Sequence, residues 1–390
     1  LKLTEIHHAL GLHMHQPPGN LRLLIETNRF EAEQIMRCYE RAPRYARAYA
    51  DVARLHVGFS GILLEQLCDP GIQAAYRDLV DIPAMLRSYA ETSNVELIGM
   101  GYYHPIFPLI PQEDWAEQLE MGVALYERLF GRRPKGFWPP EMAFSMEMVP
   151  ALARAGYEYV LIDSMHVQPE GDGRDIYRPY LGSYNGATIT IIPRDRDLSN
   201  AQESGLNPEW FFNEVRAKAA QGEGPRLVTT WSDGENGGWF RQMDEGAGFF
   251  GYYFAPYMDR VRSGDSPVRP VLISDYLKGH PATEAATART GAWNVASTSG
   301  LDFSQWAGSP TQKRAIEEVF KVTGRFQALS RKAGRKAPRE AREALAQARR
   351  LNLEAETSCF LFWGDAWIPQ LYERTGPALR LLDEAEARLK

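Results

Sequence analysis

Residues 136–145 read GFWPPEMAFS. The run 135–138 (KGFW) is short and apolar, as a buried strand is, and it leads through Pro139 and Pro140 to a carboxylate, Glu141. Each proline fixes φ at about −65° and disfavours helix in the residue before it, so the chain is held extended up to Glu141. Two uses suit a charged side chain placed this way. It caps a following helix, or it is aimed into a cleft at low entropic cost, as a nucleophile requires. The stretch alone supports both equally.

Outward from it, similar apolar runs recur at 9–13 (ALGLH), 55–60 (LHVGFS), 95–99 (VELIG), 159–163 (YVLID), 188–193 (TITIIP) and 227–231 (LVTTW). Amphipathic segments lie between them. The clearest is 114–131, with an Asp at its start, apolar residues at helical spacing and a closing Gly; 151–156 is a shorter helix. Strands separated by helices predict a parallel sheet with crossover helices. About seven such units suit a closed or nearly closed barrel better than an open sheet. The expected fold is α/β: a seven-stranded (β/α) barrel over 1–308, then a C-terminal helical bundle over 309–390. That second part starts at Ser309-Pro310, a cap followed by Pro at the first helical position. Further helices are expected at 338–353 and 377–389, with an aromatic segment, TSCFLFWGDAWIPQ, at 357–370.

Composition narrows the function classes. The chain has 390 residues, 44% hydrophobic and 24% charged, with net charge −6. These are values of a globular protein with a full core, and they argue against nucleic acid as the main partner. The basic run 331–339 (RKAGRKAPR) reads as a solvated helix connection. Three cysteines without a CxxC indicate neither a disulfide framework nor a zinc knuckle. The first 18 residues contain no apolar run suited to a signal peptide or membrane span, so a cytoplasmic location and no membrane partner are expected. Oligomeric state is not legible.

In a parallel barrel the site lies at the C-terminal ends of the strands. There the sequence has His13 and His15 after the first run, Tyr102, Tyr103 and His104 after the third, and Glu141 after the fourth. Asp163 and His166 follow the fifth, Arg194, Asp195 and Arg196 the sixth, and Asp233 with Glu235 the seventh; Glu96 lies within the third. So many polar strand ends suggest a cleft for a hydroxyl-rich ligand. Asp233 also closes an apolar strand, and Gly234 allows a sharp turn after it. Two carboxylates from different strands at one end of a barrel are the minimal equipment for glycosidic bond cleavage.

With these motifs in hand, the chain resembles glycoside hydrolase family 57, whose members act on α-glucans. GLHMHQPPGN, SNVELIGMGYYHPIFPLIP, FWPPEMAFS and WSDGENGGWF match four family regions in order, and SCFLFWGDAW matches a fifth more loosely. The resemblance implies a seven-stranded β/α barrel with a helical domain, and a retaining mechanism without metal or cofactor. It implies Glu141 as nucleophile, three residues after Trp138, and Asp233 as acid/base. It implies that His15, Glu96, His104 and Trp231 hold the sugar at the scissile bond, with Arg194 as an addition. Trp363 and Asp365 are candidates to close the site from the helical part, although Trp363 also suits a bundle core. The chain departs from the family in having Pro139 and Pro140 beside the nucleophile and Ser232 before Asp233; the Pro-Pro, YYHP and FLFWGDAW details lean toward amylase and amylopullulanase-like members. A retaining pair is expected about 5–5.5 Å apart, with Asp233 protonated before attack.

Alternatives remain at this point: a 4-α-glucanotransferase or branching-type transglycosylase, a metal-dependent polysaccharide deacetylase, or a non-catalytic glucan-binding protein. No two histidines stand four apart, as a deacetylase metal pair would. His13 and His15 share one side of a strand and suit either a metal pair or, better, a hydrogen-bonded pair. The stretch 234–253, rich in Gly and aromatics including Trp239, reads as a mobile lid or a sugar platform.

Overall fold

A computed structural model describes residues 5–389 apart from 172, 221, 223, 294–301, 335 and 336. Its strands are β1 (Ile6–Met14), β2 (Leu55–Phe59), β3 (Val95–Ile98), β4 (Gly136–Phe137), β5 (Tyr159–Asp163), β6 (Val167–Pro169), β7 (Tyr180–Tyr184), β8 (Ala187–Arg194), β9 (Arg226–Asp233), β10 (Val268–Pro270) and β11 (Ala286–Ala288). All nine residues of β1 are buried, as suits a parallel strand covered on both faces.

β1 organises the sheet. One edge pairs in parallel with β9 from Ile6↔Arg226 to His13↔Asp233. The other edge pairs with β2 over Leu10–Met14 and with β10 over Ile6–His8. β2 pairs with β3, and a parallel Gly99↔Phe137 bridge carries the order on to β4. β4, β5 and β8 then pair in parallel. Just past β8, the Asp195 N–H donates to the Thr229 carbonyl of β9 at 2.9 Å. The fold is therefore α/β with mainly parallel pairing and many helices. All seven strand segments expected from the sequence are present, lengthened or trimmed by one to three residues at their ends.

Four further strands were not expected. β7 returns on β8 as an antiparallel hairpin through Asn185 and Gly186, both at positive φ (45° and 78°). This is the backbone an Asn-Gly turn favours. β6 and β11 form a separate antiparallel pair, and β10 extends the edge of β1.

The helix Gln112–Phe130 carries Glu113 and Asp114 in its first turn and ends at Gly131 with φ 63°. Both features suit a helix dipole and its C-terminal turn. The C-terminal part consists of Pro310–Ala333, Arg339–Ala355, the short Ser358–Phe362 and Ile368–Arg388. The first begins in a capping box made by Ser309 and Gln312. The last starts well before 377: Pro377 lies inside it rather than at its start. The expected connection at 331–339 includes residues 335 and 336, which lie outside the described ones.

This helical part packs on the ends of β3 and β4. Ile106 and Ala143 from those loops share a core with Trp306, Val319, Phe360 and Leu371. A buried polar cluster reinforces the contact. Asp114 accepts from Thr323 Oγ1 at 2.5 Å and from Arg349 Nη1 at 2.6 Å.

Candidate active site

The loops after the parallel strands enclose a cavity of about 670 Å³. Glu141 and Asp233 both line it, with His13, His15, His104 and Arg194. Glu141 does not cap a helix. It sits in a single 3₁₀ turn, Pro140–Met142, with φ 58° and ψ 21°. Met142 (φ 51°) and His104 (φ 58°) are also left-handed. For residues with a Cβ this backbone costs about 1–2 kcal/mol each. Three such residues in and beside one cavity are strain stored where the side chains must be aimed.

The Glu141 carboxylate is held at both oxygens. Oε1 accepts from Ser358 Oγ at 2.9 Å and Oε2 from Trp293 Nε1 at 3.0 Å. Burial raises its pKa above the usual carboxylate range, and these two donors oppose the rise. Asp233 has a different setting. Among the described residues its side-chain partner is Asn236, whose Nδ2 donates to Oδ2 at 2.6 Å. Burial, with the charge of Glu203 next, pushes Asp233 up to about 7; the Glu141 charge adds to this, while Asn236 and Arg194 oppose it. One carboxyl is thus favoured as an anion by two donors, and the other is kept as an acid near neutral pH. That division is what general acid plus nucleophile chemistry needs.

Three imidazoles form the wall beside Glu141. His15 and His104 stack at 3.8 Å, and His13 stacks on His104 at 5.0 Å. His13 Nε2 lies 3.1 Å from His104 Nε2, and His15 Nε2 lies 3.0 Å from Cys359 Sγ. Burial pushes His13 down to about 3 and holds His15 and His104 well below the ordinary histidine value, so all three are neutral. Among the described residues no three His, Cys, Asp or Glu side chains are grouped to hold a metal ion. Arg194 donates from Nε to the Trp231 carbonyl at 2.7 Å and from Nη1 to Asp163 Oδ2 at 3.2 Å, and its guanidinium lies over Trp293.

Other expected residues lie elsewhere. Glu96 is inside β3 rather than at its end, so it points beneath the cavity, where it accepts from Tyr159 Oη at 2.8 Å and the Ser274 N–H at 3.2 Å. His104, eight positions on, is the polar residue of that segment that reaches the cavity. Trp138 and Trp231 are fully buried and stack on each other at 5.4 Å as the floor behind it. Asp365 is exposed and does not line the cavity, whereas Trp363, 57% exposed, does.

The segment 234–253 is also not a platform of free aromatics. Phe249, Phe250 and Tyr253 are buried in the main core, and Trp239 Nε1 donates to the Gln202 carbonyl at 2.9 Å. Its contribution to the cavity is Glu235, Asn236, Gly237 and Arg241.

Several contributors were not singled out from the sequence, four of them close to the two carboxyls or on the rim. Ser358 and Trp293 hold the nucleophile candidate, Trp367 adds an indole beside Trp363, and Glu203 adds a carboxylate whose charge acts on Asp233. Ser358 and Trp293 meet Glu141 across more than 150 residues of chain, which local patterning does not encode.

Comparison with known proteins agrees with this geometry. The model of glycosyl hydrolase family 57 matches residues 9–285. An alpha-amylase of Pyrococcus horikoshii is 28% identical over 282 residues, 70% of this chain and 40% of that protein. A 4-alpha-glucanotransferase of Thermococcus litoralis is 32% identical over 197 residues, 50% of this chain and 28% of that protein. The chain therefore spans less than half the length of these two relatives. The crystal structure of a family-57-type branching enzyme from Pyrococcus horikoshii superposes with a TM-score of 0.74 at 18% identity, covering 98% of this chain and 94% of that one. With the match reaching from β1 past β9, and the strand ends carrying Glu141 and Asp233, this chain belongs to glycosyl hydrolase family 57.

Proposed function

We propose that the chain is a retaining glycoside hydrolase acting on α-glucans, at α-1,4 or α-1,6 bonds or both, in the manner of an amylase or amylopullulanase. Glu141 attacks the anomeric carbon and the C–O bond to the leaving sugar breaks. Asp233 gives its proton to that leaving oxygen. In the second step Asp233 takes a proton from water, and the water oxygen displaces Glu141 from the glycosyl-enzyme. The observation that carries this reading is the opposed setting of the two carboxyls in one cavity: two donors on Glu141, and burial plus neighbouring negative charge on Asp233. The retaining assignment requires the carboxyls to come within about 5–5.5 Å of each other across the sugar.

His13, His15, His104 and Arg194 are proposed to contact the bound sugar, and Trp363 to stack on a more distant one. Trp138 and Trp231 support from behind, and no direct contact is assigned to Glu96, Trp239 or Asp365. We further infer that β9, β1, β2, β3, β4, β5 and β8 form a closed seven-stranded barrel, with the helical domain beginning at 309. No helix among the described residues is long and apolar enough to cross a membrane. A second reading, transfer to an acceptor sugar, is favoured by the indoles of Trp293, Trp363 and Trp367, which give the cavity stacking surfaces beyond the pair of carboxyls.

The test is product analysis after incubation with maltooligosaccharides, glycogen and pullulan. Shorter sugars alone mean hydrolysis; a ladder of longer and shorter ones means transfer. Glu141→Gln and Asp233→Asn should each lower the rate by about 10³-fold or more. A wild-type protein that leaves every α-glucan intact would overturn the proposal.

A further inference from the structure

Ser358 is fully buried at the start of the short helix Ser358–Phe362. Its backbone is tied to the loop after β3: the Ser358 N–H donates to the His104 carbonyl at 3.0 Å, and Thr357 bridges Pro105. Its hydroxyl lies between two polar atoms, Glu141 Oε1 at 2.9 Å and His104 Nδ1 at 2.8 Å. We propose that Ser358 is a positioning residue for Glu141, the last link of a one-way hydrogen-bond relay from His13 through His104 that holds Glu141 as a charged carboxylate. The inference rests on the reading of Glu141 as the nucleophile.

Proton bookkeeping gives the direction. A hydroxyl has one proton to donate, and a charged carboxylate only accepts. The Ser358 proton therefore goes to Glu141, and Ser358 Oγ accepts from His104 Nδ1–H. A neutral His104 then has a bare Nε2. The facing atom, His13 Nε2 at 3.1 Å, must carry the proton between them. That leaves His13 Nδ1 bare, and among the described residues this buried nitrogen has no hydrogen-bond partner. The chain of donors thus starts at His13 Nε2–H and ends on the carboxylate. Aligned hydrogen bonds polarise one another, so each link strengthens the next. Trp293 Nε1 holds the other oxygen independently.

The titratable and charged groups facing Glu141 are His104, with Nδ1 at 3.8 Å, and Asp233 and Cys359, which feel its charge; Arg194 stands behind Trp293. None of these donates a hydrogen bond to Glu141. Loss of the Ser358 hydroxyl leaves Oε1 without its donor in a buried site, so the acid form gains.

The experiment follows the Glu141 carboxyl by ¹³C NMR titration of protein labelled at the Glu carboxyls, with Glu141→Gln identifying its resonance. Ser358→Ala should raise the apparent pKa of Glu141 by about one unit. Ser358→Thr should titrate as the wild type, and Ser358→Cys, a weaker donor of similar size, in between. The acid limb of kcat/KM on a maltooligosaccharide should move up by the same amount. Wild-type titration in Ser358→Ala, or the same shift in Ser358→Thr, overturns the proposal; if Ser358→Ala fails to fold, the comparison of Cys with Thr decides it. Should the wild type cleave no α-glucan while the titration still shifts, the functional reading falls and the relay stands.

Discussion

Asp233→Asn should make the protein more stable above neutral pH while removing its activity. The carboxyl is shifted from its ordinary 3.8 to about 7, chiefly by burial and then by the charge of Glu203. A group whose folded pKa is raised contributes stability that is fully present below the unfolded pKa and is lost as pH rises through the folded one. The loss therefore falls between about pH 4 and pH 7. At about 1.36 kcal/mol per unit, the shift corresponds to roughly 4 kcal/mol. The side chain is partly exposed, and solvent screening reduces this to about 2 kcal/mol. Asparagine carries no charge at any pH, and its amide oxygen still accepts from Asn236. Urea unfolding at pH 4 and pH 8 should give equal stabilities at the lower pH and a gain of about 2 kcal/mol for the variant at the higher. Glu203→Gln, tested beside it, should shift the alkaline limb of wild-type kcat/KM downward from about pH 7. A gain independent of pH, or a loss at pH 8, would refute the argument.

Two more outcomes follow from the contacts. Trp363→Ala removes an exposed indole from the cavity rim; KM for long glucans should rise about 2–10-fold, and less for maltotriose, by steady-state kinetics. Arg349→Met leaves Asp114 buried without its cation and should cost about 3–5 kcal/mol in urea unfolding, because that pair joins the helical part to the helix Gln112–Phe130.

Where a structural element announces itself by composition over five or more residues, the sequence sufficed. β1, β5 and β9 carry the runs ALGLH, YVLID and LVTTW and are buried over all or nearly all of their length, and the carboxylate at the end of β9 was found by looking just past one. β7 and β8 show the cost of reading apolar runs alone: Asn185-Gly186 is a hairpin signal that was present and passed over. Pro377 misled for a related reason. Proline more often starts a helix than sits within one, yet here packing on neighbouring helices offsets the lost hydrogen bond. In 249–257 the aromatics Phe249, Phe250, Tyr253, Phe254 and Tyr257 recur at helical spacing, which marks a core face rather than a platform.

At the site, Glu141, Asp233 and the three histidines were legible because strand ends concentrate there. Glu96 entered through the family resemblance; its place within the third strand was legible, whereas its partners, Tyr159 and the Ser274 N–H, appear only once the chain is folded. Trp293 and Ser358 were beyond reach: each meets Glu141 across more than 150 residues of chain.

That last separation has a consequence for how the molecule comes into being. A chain is made from its N-terminus and its parts fold as they emerge. When residue 233 leaves the ribosome both carboxyls exist, yet neither donor to Glu141 has been synthesised. Any nascent or clipped product ending before residue 293 holds the two acids without the groups that keep one of them charged. On the proposed reading of Glu141 as nucleophile, competence of the site is thus tied to synthesis of the polypeptide through Ser358.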